Sequence, residues 1–154
     1  MVKIAMVDKK LGHSLKGMRC AVSGSGNVAL YAAEKLLEYE AKVITVSDSN
    51  GVLVFDNGMM TEDLAKIFKC KDVDNDRLGS LNGDINARYI KNESPWSIDV
   101  KYNLALPCAT QNEIDENGAK LLVKNGVLGV FEVSLVDSRS RVLHETLPHC
   151  CFPE

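Results

Sequence analysis

Between Arg19 and Asp48 the chain runs through an apolar stretch, a pair of glycines, an amphipathic stretch, a second apolar stretch and an acid. Few folds accommodate that order. Cys20 to Val22 lacks polar alternation, as a parallel strand covered on both faces does. Gly24-Ser25-Gly26-Asn27-Val28-Ala29 follows, a G-x-G-x-x-A turn. From Asn27 to Tyr39, Val28, Ala32 and Leu36 recur at four-residue intervals, as do Ala29, Ala33 and Leu37, while Glu34, Lys35 and Glu38 take the other side. That spacing predicts a helix with one buried face. Lys42 to Ser47 then reads as a second strand, with Asp48 at its end.

Strand, glycine turn, helix, strand and acid is the order of a dinucleotide-binding βαβ unit. In such a unit Gly24 permits the tight turn, Gly26 lets the backbone approach a diphosphate, and the small Ala29 lets the helix lie close to the sheet. The amides at the helix start face the phosphates. A glycine pair alone also serves ordinary turns; the flanking strands, helix and acid give it meaning. Asp48 lies 22 residues beyond Gly26, where a ribose-binding acid is expected. Ser47-Asp48-Ser49-Asn50-Gly51 is also dense in turn formers, so Asp48 reads equally as a turn residue.

At 154 residues the chain is about one domain long. A chain of that size buries roughly two thirds of its unfolded surface, enough for a real core but not for a two-domain enzyme. A net charge of −3 argues against nucleic acid or an anionic membrane as the main partner. The opening Met1 to Val7 is too short, and broken too soon by Asp8, Lys9 and Lys10, for a secretory signal. A soluble, intracellular, cytoplasmic protein is expected. Cys20, Cys70, Cys108, Cys150 and Cys151 form no C-x-x-C pair, and His13, His144 and His149 lack ligand spacing, so buried thiols and no metal site are expected.

Along the rest of the chain, residues 1–13 read as a leading segment and residues 14–133 as an α/β, Rossmann-like, doubly wound, mostly parallel domain, incomplete at its carboxyl-terminal end. Val52 to Phe55 with Asp56-Asn57-Gly58 suggests a short hairpin projecting from the sheet. Thr61, with Glu62 and Asp63 behind it, can cap a helix to about Cys70. Residues 71–98 are charged and weakly periodic, with a poorly defined helix expected within Arg77 to Lys91 and ended by Pro95 and Trp96. Tyr102 to Leu106 is an apolar strand stopped by Pro107. Cys108 to Asn112 lies at its carboxyl end, where cofactors bind in open α/β sheets. Thr110, Gln111 and Asn112 could contact a nicotinamide ribose or carboxamide, or could cap the next helix, which begins near Asp115 and ends at Asn125-Gly126. Val127 to Val133 reads as a last parallel strand. Residues 134–154 show no clear period and are expected to be a poorly ordered tail.

Taken together, Ser14 to Gly17, Val22 to Ala29, Ser47 to Gly51, Pro95-Trp96 and Ala105 to Glu113 resemble the coenzyme-binding domain of hexameric NADP-dependent glutamate dehydrogenases, over about Ser14 to Glu132. The segments V-S-G-S-G-N-V-A and A-L-P-C-A-T-Q-N-E carry most of that similarity. It implies hydride transfer between NADP and the α-carbon of L-glutamate or its imine, linking 2-oxoglutarate and ammonia to glutamate, in a homo-hexamer. The cofactor-binding set it implies is Ser23, Gly24, Ser25, Gly26, Asn27 and Val28 at the diphosphate, Asp48 and Ser49 at the adenosine ribose, and Ala109, Thr110, Gln111 and Asn112 on the nicotinamide side. Asp48 alone would favour a free 2′-hydroxyl and hence NAD. Ser49 can donate to a 2′-phosphate, and the resemblance points to NADP.

Four departures from the family pattern stand out. Glu40 replaces a glycine after the first helix, and if that residue is left-handed its side chain costs roughly 1 to 2 kcal/mol. Asn103 replaces an acid, and Gly118 falls inside a helix, which suggests drifting sequence. After Val130-Phe131-Glu132 the family continues into a G-A-N-M-P loop, whereas this chain reads Val133-Ser134-Leu135-Val136. That change suggests a shifted reading frame or an intron read through. The substrate-binding lysines and aspartate of the family's amino-terminal domain have no counterpart here, so no residue is assigned to catalysis and little or no turnover is expected. Two alternatives remain: a non-catalytic stump that pairs with full-length subunits, and a piece of an NAD-dependent amino-acid dehydrogenase.

Overall fold

The computed structural model describes residues 14–110, 113–137 and 140–144. Strand β1 (Arg19–Val22) leads through the glycine turn into helix α1 (Asn27–Glu38), and β2 (Lys42–Asp48) follows. Then come β3 (Gly51–Val54), helix α2 (Thr61–Asp72), a 3-10 turn (Leu78–Leu81) and β4 (Arg88–Lys91). After a long irregular connection come β5 (Leu104–Leu106), helix α3 (Glu116–Lys124) and β6 (Gly129–Val130). These six strands form one sheet in the order β4-β3-β2-β1-β5-β6. β1 pairs parallel with β2 and β5, and β5 with β6, while β3 runs antiparallel to both of its neighbours.

The absence of polar alternation in β1 and β5 has its cause in cover on both faces. Cys20, Val22, Leu104 and Leu106 pack in one cluster with Leu30, Ala33 and Leu36 of α1 and Leu64 and Ile67 of α2. Ala21 and Ala105 belong to a second cluster with Trp96, Leu122 of α3 and Val127. A strand so covered gains from apolar residues at every position. β2 would break this scheme, since Val43 and Val46 both join the first cluster while Ile44 joins another. An extra residue at Ile44 resolves the conflict, because the β1–β2 register passes from Cys20↔Val43 to Ala21↔Thr45 and leaves Ile44 unpaired. The buried Thr45 hydroxyl accepts from Val22 N (3.0 Å) and donates to Val22 O (3.0 Å), replacing the ladder bonds that the bulge removes.

Several expectations are corrected. The hairpin does not project from the sheet: β3 is an inner strand, turned at Ser49 and Asn50 rather than around Asn57. In place of a helix within Arg77 to Lys91 there are the 3-10 turn and β4, an edge strand whose charged ends, Arg88 and Lys91, blunt the sheet edge. Helix α2 begins at Thr61 but is not capped by it. Met60 is the N-cap, and the Asp63 carboxylate accepts from Met60 N (3.1 Å). The last parallel strand is only Gly129–Val130, and Glu132–Asp137 pairs antiparallel with Ser140–His144 in a separate two-stranded sheet. That hairpin begins at Glu132, inside the expected last strand, and runs on into the stretch that showed no strand period. Residues 1–13 and 145–154 lie outside the described residues.

Glu40 is left-handed, with φ 59°. It follows the C-cap of α1, where Glu40 N donates to Leu37 O and Ala41 N to Leu36 O, a closure that normally selects glycine. Gly118 has a packing reason. A Cβ there would sit 3.3 Å from Trp96 Cβ, Ile114 Cγ2 and Asp115 Oδ1, so its absence lets α3 pack close against Trp96. Asn103, too, has a structural task, because its side-chain oxygen accepts from Arg19 N (2.9 Å) and ties β1 to the start of β5.

Candidate dinucleotide-binding site

From β1 the chain builds outward to β2, β3 and β4, then crosses back to add β5 and β6 on the other side. The order therefore reverses between β1 and β5, and ligands of open α/β sheets bind at the carboxyl ends of the strands at such a point. Ser23 and Gly24 leave β1 there, and Pro107 and Cys108 leave β5.

Three strand ends are laced together around the glycine turn. Ser23 N donates to Leu106 O (3.2 Å), and Cys108 N donates to the Ser23 hydroxyl (3.0 Å). On the other side Gly24 N donates to the Ser47 hydroxyl (2.9 Å), and Ser47 N donates to Gly24 O (3.3 Å). Ser23, Ser25 and Ser47 are buried, so these hydroxyls belong to the scaffold of the turn rather than to its open surface.

The two glycines differ in what fixes them. Gly24 has φ 86°, and a Cβ on it would lie 3.3 Å from Cα and Cβ of Ala109. The fold itself requires glycine there. Gly26 has φ −79° and ψ 179°, which any residue adopts, and among the described residues a Cβ on it would meet nothing within 4 Å. Packing among the described residues gives no reason for glycine at that position; an approaching ligand would. Gly26 is also the N-cap of α1, which has no side-chain cap and no acid in its first turn, and Gly26 and Asn27 are exposed. The positive end of α1 is thus presented to solvent, which suits a diphosphate.

Asp48 lies at the end of β2, but its carboxylate is turned inward. Oδ1 accepts from Asn50 N (2.8 Å) and Gly51 N (3.1 Å), and Oδ2 accepts from Leu78 N (2.9 Å). Three of roughly four acceptor positions are therefore spent on backbone amides. The turn reading of Asp48 is realised here, and the bond to Leu78 N brings the 3-10 turn up beside β2. That places Arg77 next to Ser49, with Arg77 Nη1 donating to the Ser49 hydroxyl (2.8 Å), both side chains exposed. Sequence reasoning missed Arg77. It lies 28 residues from Ser49 within a weakly periodic segment, and the burial of Leu78 in the core together with the Asp48 to Leu78 bond brings the two together.

Beyond β5, Ala109 and Thr110 are exposed at the crevice, whereas Gln111 and Asn112 lie outside the described residues. Thr110 does not cap the next helix. Asp115 does, its Oδ1 accepting from Gly118 N (2.7 Å). Glu113 was likewise not singled out as a site residue. Its Oε1 accepts from Ala109 N and its Oε2 from Trp96 Nε1, both at 3.1 Å. Burial, and after it the Glu113 charge, pushes the Cys108 thiol far above its usual range, so Cys108 is a neutral wall group rather than a nucleophile. Cys20, Cys70 and Cys108 are free, and burial pushes Cys20 up to about 12. No group of three or more potential metal ligands occurs among the described residues. No helix among them is long and apolar enough to cross a membrane.

Residues 1–138 match the family model for glutamate/leucine/phenylalanine/valine dehydrogenase. The chain belongs to this family. The NADP-specific glutamate dehydrogenase of Salmonella typhimurium is 44% identical over 124 residues, which are 80% of this chain and 27% of that enzyme. The NAD(P)-specific glutamate dehydrogenase of Xylanibacter ruminicola is 45% identical over 124 residues, 80% of this chain and 28% of that enzyme. Among solved structures, Plasmodium falciparum glutamate dehydrogenase superposes with a TM-score of 0.77 at 44% identity, covering 84% of this chain and 27% of that one. The family member described here therefore spans little more than a quarter of the length of the dehydrogenases it matches, and its sheet is the Rossmann-like, mostly parallel sheet of that family.

Proposed function

We propose that this chain forms the coenzyme-binding part of an NADP-dependent glutamate dehydrogenase. The single observation that carries the reading is the open space over Gly26 at the uncapped start of α1. A diphosphate fills that space, held by the amides of Asn27 and Val28, with Ser23, Gly24 and Ser25 shaping the turn beneath it. The adenosine half extends toward β2, where Ser49 and Arg77 receive the ribose, and the nicotinamide half extends toward Cys108, Ala109, Thr110, Gln111 and Asn112.

NADP is favoured over NAD by the geometry at β2. An acid selects NAD by accepting from a free 2′-hydroxyl, and an arginine nearby accommodates a 2′-phosphate. Asp48 spends its oxygens on amides, whereas Arg77 is exposed and held by Ser49. The name of the Xylanibacter relative keeps NAD as the alternative.

When bound, the coenzyme would take a hydride from the α-carbon of L-glutamate, the resulting imine being hydrolysed by water to 2-oxoglutarate and ammonia, and as NADPH it would give the hydride back in the reverse direction. This chain's residues bind and orient the coenzyme; no proton-transfer role is assigned to any described residue. L-Glutamate, 2-oxoglutarate and homo-hexameric assembly belong to the complete enzyme, in which this part works in the cytoplasm. Parallel titrations with NADPH and NADH test the reading. Tighter NADPH binding, lost in Arg77→Ala without loss of NADH binding, supports it. Equal affinities that Arg77→Ala leaves alone would overturn the NADP assignment.

A further inference from the structure

Glu113 sits where two N–H donors converge and spends one carboxylate oxygen on each. One donor, Ala109 N, belongs to the segment that leaves β5 at the crevice; the other, Trp96 Nε1, belongs to a residue the crevice does not contain. Trp96 is a rigid anchor. It is 3% exposed, packs with Tyr102, Ala105, Leu122 and Val127, and meets the Tyr102 ring edge-on with centroids 6.3 Å apart. The missing Cβ at Gly118 allows that packing. At the other end of the relay, Ala109 lies directly against Gly24, closely enough that a Cβ on Gly24 would sit 3.3 Å away.

We propose that Glu113 is a positioning residue: braced on Trp96, its carboxylate holds Ala109 against Gly24 and so sets the width of the crevice between β1 and β5 where the nicotinamide half of the dinucleotide enters. The inference rests on the proposed coenzyme site and adds to it the element that fixes one wall. Its direction follows from the sheet order. The adenosine half lies over β2, on one side of the glycine turn, and Ala109 lies over β5, on the other. A change at Glu113 therefore acts on half of the ligand only.

Two ligands separate the halves. NADPH spans both sides of the turn, and adenosine 2′,5′-bisphosphate occupies only the adenosine side. Glu113→Gln keeps an acceptor for Ala109 N but sets an amide N–H against the Trp96 indole, and Trp96→Phe removes the indole donor while keeping an aromatic ring. Each is expected to weaken NADPH about tenfold, as loss of a hydrogen bond to a charged group does, and to leave adenosine 2′,5′-bisphosphate affinity unchanged. Equal weakening of both ligands, or of neither, in both variants would overturn the positioning role. Failure of the wild-type chain to bind either ligand would instead overturn the coenzyme site itself. Should Glu113→Gln fold poorly, Trp96→Phe gives the same readout from the other partner of the relay.

Discussion

Helix α1 and helix α3 start at the same end of the sheet, on opposite faces, and they start differently. α3 is closed: Asp115 caps it, and Glu116 adds a negative charge in its first turn. α2 is closed too, with Glu62 and Asp63 in its first turn and the Asp63 carboxylate on Met60 N. α1 has Gly26 at its N-cap, no acid in its first turn and, among the described residues, nothing within 4 Å of where a Cβ on the glycine would sit. An unsatisfied helix start is a cost that α2 and α3 avoid with carboxylates. Leaving it at α1, beside the point where the sheet order reverses, is intelligible if a ligand carries the negative charge instead. On the proposed reading, the difference between the helices is one of purpose, stability at two of them and binding at the third.

The sharpest way to break that contrast is Gly26→Ala. Its backbone angles suit alanine and the new methyl touches no atom of the described residues, so the fold loses less than about 1 kcal/mol, the margin between glycine and alanine at an N-cap. NADPH binding should fall on the order of a hundredfold, because the methyl displaces a phosphate that accepts several charge-assisted hydrogen bonds. Thermal melts and calorimetry on the same sample check both halves. A variant that binds normally would mean the open space is not used.

The far end of α1 offers the converse substitution. Glu40→Gly relieves a side chain at φ 59° and should stabilise the chain by about 1 kcal/mol in urea melts, with coenzyme affinity unchanged. The ion pair of Glu40 with Lys16 is exposed on both sides and offsets little of that gain. Asp115→Ala opens the start of α3 and should cost about 1 kcal/mol, again without effect on NADPH affinity. If it created a second binding site, openness alone would explain α1 and the role of the glycine turn would shrink.

The smallest effect is expected at the opposite end of the sheet. The hydrogen bond and charge of Arg88 hold the Asp56 carboxyl below its ordinary value. A carboxyl lowered in the fold adds stability that is fully present above its unfolded pKa and lost as pH falls through the folded value. Asp56→Asn should therefore remove a few tenths of a kcal/mol at neutral pH and flatten that part of the acid loss, since the pair is largely exposed. Guanidinium melts between neutral and acid pH would show it, while NADPH affinity at neutral pH stays the same.

Where the sequence was legible, local pattern and tertiary structure agreed. β1, the glycine turn, α1 and β2 follow one another in sequence and are held by short-range rules of strand, turn and helix, so their order alone exposed them. Glu40 was readable for the same reason, since a C-terminal helix closure demands a left-handed residue whatever occupies it. Asp48 could not be decided from spacing, because both of its readings place an acid at the end of β2, and only the amides of Asn50, Gly51 and Leu78 separate them. β4 was hidden by its brevity and by its charges, which sit at the edge of the described sheet. Arg77 and Glu113 were hidden by distance, since each acquires meaning from a partner 28 or 17 residues away. Gly118 was misread as drift because its reason, the approach of Trp96, lies in another element.

Titration of uniformly labelled chain with NADPH, followed through the backbone amide resonances, tests the contrast between the helix starts directly. The amides of Asn27, Val28 and Ala29 should shift strongly and saturably, with Ser49 and Ala109 moving on either side of them, while Gly118 at the capped start of α3 stays in place. Unmoved resonances at α1 with millimolar NADPH, or shifts that gather at α3 instead, would contradict the assignment of the open helix start to a dinucleotide.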